Sequence, residues 1–265
     1  MKNFLQAEAY YLRQDTLFRG ISLLFVLAST VLAFWTGSKS GYEMNNPVEP
    51  LTILTQLSLL LYFIIPVYVC FFTTEGFEFG SVKVILAGGQ SRFTYVTGKY
   101  LTVLKLIVWW MLLFFGLFYL LYLAAALVTG SGIGDHPWGA ELLVTLRVLG
   151  LNILYLAAYA ALIMLISLWI QRTASAVVAT FLVVFGDFML SGYFRETSSA
   201  WLRLISDHTL TTQIMKFSGI YVIHSQHIVL SGAQSFVKVL LIPLIVLIIS
   251  LAAIYISFGK KDIHT

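Results

Sequence analysis

The sequence predicts an all-α integral membrane protein with six transmembrane helices. It also predicts an N-terminal interfacial helix, a short elbow helix between spans two and three, and short outer helices before span six. Three observations carry this reading. Apolar residues make up 59% of the 265-residue chain and charged residues only 11%, less than half the charged share of an ordinary soluble domain. A mean hydropathy of +0.90 demands more apolar burial than one soluble core of this length supplies. The apolar residues are also grouped into continuous runs, and roughly 20 helical residues cross a hydrocarbon core about 30 Å thick. Continuous runs exclude the alternating pattern of a barrel, and an open strand in lipid would leave its backbone groups unpaired. No internal repeat or soluble domain interrupts the pattern, so residues 1–265 form a single transmembrane domain.

The elements follow in order. Residues 1–16 are polar, but Phe4, Leu5, Leu12 and Phe18 recur at helical spacing opposite Lys2, Gln6, Arg13 and Gln14. That pattern describes a helix lying on the membrane surface, meeting the first span near Gly20. The first span runs from Leu17 to Trp35; its length, its polar approach and the lack of an Ala-x-Ala-like site after it argue against a signal peptide. Leu51 to Thr73 forms the second span, in which Pro66 removes a helical donor and sets either a hinge or a static bend. The third, fourth and fifth spans run from Leu101 to Thr129, Val148 to Ile170 and Ala176 to Phe194. Residues 195–235 are an extracellular segment with Trp201, Leu204, Ile214 and Phe217 among its apolar residues. A structureless loop that long and apolar is improbable, so one or two short helices are expected there. Phe236 to Phe258 completes the set.

Orientation follows from the basic residues. With both termini inside, Lys2, Arg13, Arg19, Lys83, Arg92, Lys99, Lys105, Arg172, Lys260 and Lys261 face the cytoplasm, ten of the sixteen Lys and Arg, as the positive-inside rule requires. Trp35, Trp138, Trp169 and Trp201 lie near span ends, where aromatic rings anchor at the headgroup level. The net charge of +4 is too modest to indicate a nucleic-acid partner.

Residues 74–90 form the elbow. Glu75 and Glu78 are placed in an early turn, where carboxylates complement the helix dipole, and Phe79, Val82, Ile85 and Leu86 make an apolar stripe. Gly88-Gly89 supplies a left-handed exit, and Ser91 caps the helix that climbs into the third span. Arg92 is positioned either to pair with one of the two glutamates or to meet a partner.

This stretch resembles the segment after the second span in permease subunits of type-2 ABC exporters. The matching residues are Glu78, Gly80-Ser81, Lys83, Val84 to Ala87, Gly88-Gly89, Ser91-Arg92 and Gly98-Lys99. The layout resembles that family over essentially the whole length. Its shortness makes the chain similar to permeases that export, or confer immunity to, peptide antibiotics, lantibiotics and other amphipathic compounds. The resemblance implies two six-span permease subunits, identical or related, joined to a cytoplasmic ABC ATPase dimer. It makes the elbow the coupling helix, so that Glu75, Glu78, Phe79, Gly80, Lys83, Gly88, Gly89, Ser91 and Arg92 would face the ATPase. ATP and magnesium would then belong to the ATPase, with no cofactor on this chain, in a bacterial plasma membrane whose lipid is the other partner. A phosphate-binding Gly-x-x-x-x-Gly-Lys-[Ser/Thr] is lacking: Gly98-Lys99-Tyr100 has neither the upstream glycine nor the hydroxyl.

Other residues have competing readings. Asp187, inside the fifth span, either lines a translocation path or subunit interface, or is protonated or locally paired. Glu75 and Glu78 share a helical face, but no nucleophile, histidine or metal-ligand set accompanies them for acid/base chemistry. His224 and His227 lack a third ligand for a metal site, His208 beside Asp207 reads as a cap or surface pair, and Cys70 stands alone. Two other functions are kept open: an integral-membrane enzyme acting on lipid or prenyl chains, for which no Asp-x-x-x-Asp or His-Glu-x-x-His set is present, and an ion-coupled transporter built around Asp187.

Overall fold

The computed structural model describes residues 2–132, 134, 139–193, 197, 199–218, 222–223, 226–227 and 233–260. It is an all-α membrane protein. Six helical stretches are long and apolar enough to cross a membrane: α2 (Thr16–Ser40), α4 (Leu59–Glu78), α6 with α7 (Arg92–Thr129), α8 (Gly139–Ile170), α9 (Thr173–Tyr193) and α12 (Ala233–Lys260). The helix α1, the connection between α4 and α6 and the end of α12 share one face, where Phe4, Val82, Tyr95 and Phe258 pack together. The N-terminal helix α1 spans Lys2–Gln14, α3 spans Glu49–Gln56 and the elbow helix α5 spans Ser81–Ala87.

The spans α4 and α8 are the most enclosed, while α2, α9 and α12 turn most of their surface outward. Leu24, Leu27 and Val31 on α2 and Val178, Phe181 and Leu182 on α9 are exposed accordingly, as lipid-facing residues must be. An aromatic cluster fills the middle of the bundle. Trp110 of α6 stacks on Phe18 at 5.6 Å and meets Tyr68 edge-on at 4.9 Å, pairs worth roughly 0.5–1.5 kcal/mol each beyond area burial. Its ring nitrogen donates to Ser22 Oγ at 2.9 Å, so the buried indole is satisfied.

Three boundaries differ from expectation. The surface helix meets the first span at Asp15, not near Gly20, because Asp15 is an N-cap: its Oδ1 accepts from Leu17 N at 2.8 Å while its Oδ2 accepts from the Tyr68 hydroxyl at 2.6 Å. The second span begins at Leu59, since Leu51 to Gln56 belong to α3. Asn46 opens that helix by accepting from Val48 N and Glu49 N, at 2.9 and 3.0 Å. The third span contains a π-helical turn at Leu112–Gly116 between α6 and α7. Such a turn offsets the faces on either side, and here Phe114 and Phe115 are both buried. Pro66 lies within α4, which continues on both sides of it.

On the opposite face, the segment before the sixth span supplies α10 (Ala200–Asp207) and α11 (Leu210–Phe217), followed by a two-residue antiparallel pairing of β1 (Val222–Ile223) with β2 (Gln226–His227). His208 Nδ1 lies 2.7 Å from Leu204 O, and Asp207 pairs with Lys216 at 3.3 Å. Trp138, Phe194 and His224 lie outside the described residues.

Candidate functional site

The candidate site occupies the face that carries both ends of the chain. Here α1, the end of α4, α5, the start of α6 and the end of α12 gather around a second apolar core, distinct from the one in mid-membrane, that includes Phe4, Val82, Tyr95 and Phe258. The elbow forms because α4 stops at Phe79, whose N–H returns to Glu75 O at 3.0 Å, and Gly80 then turns left-handed at φ +70. A side chain at Gly80 would be strained in that conformation. Val82 then enters the core with Ile85 and Leu86 beside it. Gly89 makes the exit at φ +87, whereas Gly88 has φ −72. Ser91 caps α6, accepting from Thr94 N at 3.1 Å.

The structure corrects the expected placement of the acidic pair and of Phe79. Glu75 and Glu78 close α4; they do not open the elbow helix. Glu78 accepts a hydrogen bond from Thr173 Oγ1, the first residue of α9, so its carboxylate complements the dipole of α9. Phe79 leaves the apolar stripe because it precedes the left-handed turn, and it is 77% exposed. Lys83 and Val84 are exposed beside it on the outer face of α5. Arg92 donates to the carbonyls of Phe258 and Gly259 at 3.1 and 2.9 Å, where the end of α12 has no helical donors left.

Under the elbow lies a cavity of about 320 Å³, lined by Phe4, Ala7, Glu8 and Tyr11 of α1, Phe72, Glu75 and Gly76 of α4, Phe79, Ser81 and Ile85 of the elbow, and Lys99 of α6. Lys99 and Glu8 form an ion pair at 3.0 Å, with each side chain only 8% exposed. The Lys99 ammonium also sits 3.9 Å from the centre of the Phe72 ring. Partial burial, and after it the neighbouring Glu75 carboxylate, hold the Tyr11 phenol above its ordinary pKa. Behind Gly76 the Tyr95 hydroxyl is buried without a partner among the described residues, 3.1 Å from where a Gly76 Cβ would stand.

Sequence reasoning missed Glu8, Tyr11 and Phe72, and noted Lys99 only in a motif and among the cytoplasmic basic residues. The available signal was Glu8 standing four residues after Phe4 on the buried stripe of α1, with Lys99 in an apolar stretch. Gly98, noted only as part of a motif, gives Phe4 its place: a Cβ there would fall 2.4 Å from that ring. Asp187 and Pro66 are not at this site. Asp187 accepts from the Tyr159 hydroxyl, from Thr211 N at 3.0 Å and from Thr211 Oγ1 at 2.7 Å. These bonds pair it locally and hold the first turn of α11 against α9.

The model of a family described as "Protein of unknown function (DUF2705)" matches residues 14–264. The chain belongs to the DUF2705 family. No curated protein matches it. The DUF2705 match takes in all six spans and the elbow, and it begins at the last residue of α1.

Proposed function

We propose that this chain is the transmembrane permease subunit of an ATP-driven ABC exporter. It moves an amphipathic substrate, of the peptide-antibiotic or lipid-like kind, out of the cell, powered by an ATPase on a separate chain. The observation that carries the reading is the elbow: a short helix between spans two and three that turns Phe79, Lys83 and Val84 outward and anchors Val82 inward. Such a knob suits seating in a cleft of a second protein. Its attachment at both ends to spanning helices lets a push on it reach the membrane. Both termini and the elbow face the cytoplasm in this proposal, and the membrane is a bacterial plasma membrane. A second permease, identical or related, completes the path. The work of the chain is conformational, and ATP and magnesium stay with the ATPase.

The Asp187 network weighs against an ion-coupled transporter, because three donors already engage the carboxylate that would have to take up an ion. The test is purification of the tagged full chain from its host in nanodiscs, with mass spectrometry of co-purifying chains and an ATPase assay. A stoichiometric Walker-motif subunit, lost in Val84→Asp, supports the permease. Absence of any nucleotide-binding subunit, where other membrane complexes survive, would redirect attention to ion-coupled transport or intramembrane lipid chemistry.

A further inference from the structure

We infer that the cavity under the elbow is a binding site for the primary ammonium of a membrane lipid headgroup, of the phosphatidylethanolamine class. Its walls combine aromatic rings, from Phe4, Tyr11, Phe72 and Phe79, with two carboxylates, Glu8 and Glu75. Carboxylates and aromatic faces together are the chemistry that holds an alkylammonium. The cavity already demonstrates it on its own lysine, whose ammonium lies 3.0 Å from Glu8 and 3.9 Å from the Phe72 ring centre.

That lysine satisfies one carboxylate and leaves the other. Glu75 has no ion pair among the described residues. A carboxylate has about four lone-pair acceptor sites, so Glu75 keeps capacity for an ammonium. The cavity therefore holds two negative charges against one positive, and a second ammonium balances it. Its volume of about 320 Å³ is at the small end for a ligand site: it suits a headgroup, with the acyl chains left outside.

Position selects the lipid over a soluble amine. The cavity lies between the amphipathic α1 and the ends of two spanning helices, the level at which headgroups sit. Phe79, 77% exposed, forms part of its wall, so the cavity reaches the surface past an apolar ring. The ammonium enters and the phosphate remains at the rim.

The experiment places the full chain in nanodiscs of equal phosphatidylethanolamine and phosphatidylglycerol, releases it into mild detergent and counts retained lipids by native mass spectrometry. The expected result is one retained phosphatidylethanolamine per chain, enriched about tenfold over phosphatidylglycerol, the scale of one charge-assisted contact. Glu75→Gln brings the two lipids to parity. Phe79→Ala, a change at an exposed ring that leaves the fold intact, lowers the enrichment as well and keeps the test decisive if Glu75→Gln folds poorly. Equal retention of both lipids by the unaltered chain overturns the proposal. So does undiminished enrichment in Phe79→Ala and in any Glu75→Gln protein that folds. The assay contains no ATPase and no nucleotide, so it can fail while the permease reading stands, and the reverse.

Discussion

Removing the Lys99 ammonium should release α1 from the bundle, and removing its partner should do so less. In Lys99→Met the Glu8 carboxylate, 8% exposed and bonded among the described residues only to Lys99, is left buried without a counter-charge. Breaking a buried pair in this way costs about 3–5 kcal/mol. What holds α1 otherwise is modest: burial of Phe4 contributes roughly 1.5–3 kcal/mol, and Asp15 ties the far end to Tyr68 at 2.6 Å. The cost is of the same order as the docking energy, which also includes Leu12 on the mid-membrane core and the Tyr11–Phe72 ring contact, so α1 loosens and Glu8 gains access to water. In Glu8→Gln the stranded charge is Lys99, which keeps the Phe72 face at 3.9 Å, an interaction worth up to about 2 kcal/mol when desolvated, and Glu75 nearby. That variant should lose only about half as much. Pairing Lys99→Met with Glu8→Met removes both charges and leaves no buried polar group, and should recover most of the loss, because an apolar replacement of a buried pair is often neutral. Limited trypsin cleavage at Arg13, with thermal unfolding in detergent, reads each variant. Unchanged protection of Arg13 in Lys99→Met, or a double variant no better docked than Lys99→Met, would refute the reasoning.

Three further outcomes are expected. Gly98→Ala should displace α1 at a cost of about 1–3 kcal/mol, since the new Cβ falls 2.4 Å from the Phe4 ring; adding Phe4→Ala should abolish that penalty, measured by the same cleavage. Gly89→Ala should strain the elbow exit at φ +87 by about 1–2 kcal/mol and reduce ATPase co-purification, whereas Gly88→Ala, at φ −72, should leave it near normal. Asp187→Asn should weaken the hold on α11 by roughly 1–2 kcal/mol, because an amide keeps an acceptor for Thr211 N but meets the Tyr159 and Thr211 hydroxyls without charge; proteolysis of the outer helices should rise, and an unchanged pattern would remove the tethering role.

The spans were legible because lipid imposes one requirement on long apolar runs, and their order and number follow from it. The elbow was legible where backbone chemistry dictates it: Gly89 takes the left-handed exit and Ser91 the cap. The acidic pair was misplaced because a helix end is set by where the chain can turn, and the left-handed residue is Gly80. Once α4 runs on to Glu78, the dipole that Glu78 serves is that of α9, a partner nearly a hundred residues away that periodicity does not reveal. Asp187 was ambiguous for the same reason, since Thr211 and Tyr159 lie on other helices. The cavity was not legible at all. It depends on α1 folding back over α6, a contact that a buried ion pair and a glycine make, and each of those residues alone reads as an ordinary surface charge or a small residue.

The second core explains how a short elbow could move long helices. Val82 of α5 shares it with Phe4 of α1, Tyr95 of α6 and Phe258 of α12, and the Tyr95 and Phe258 rings stack at 5.8 Å. Arg92, one residue beyond the cap of α6, holds the last carbonyls of α12. Close-packed interiors transmit displacement instead of absorbing it, so a push on α5 reaches the third and sixth spans together. Through Glu78 and Thr173 it also reaches the start of the fifth. The cavity lies on the α1 side of this linkage, with Phe79, Ser81 and Ile85 of the elbow forming part of its wall. Under the proposed coupling role, any headgroup seated there would touch the same elements that the elbow would move, and its occupancy would differ between positions of the elbow. Lipid binding and elbow displacement would then be linked in both directions, as two ligands of one equilibrium must be.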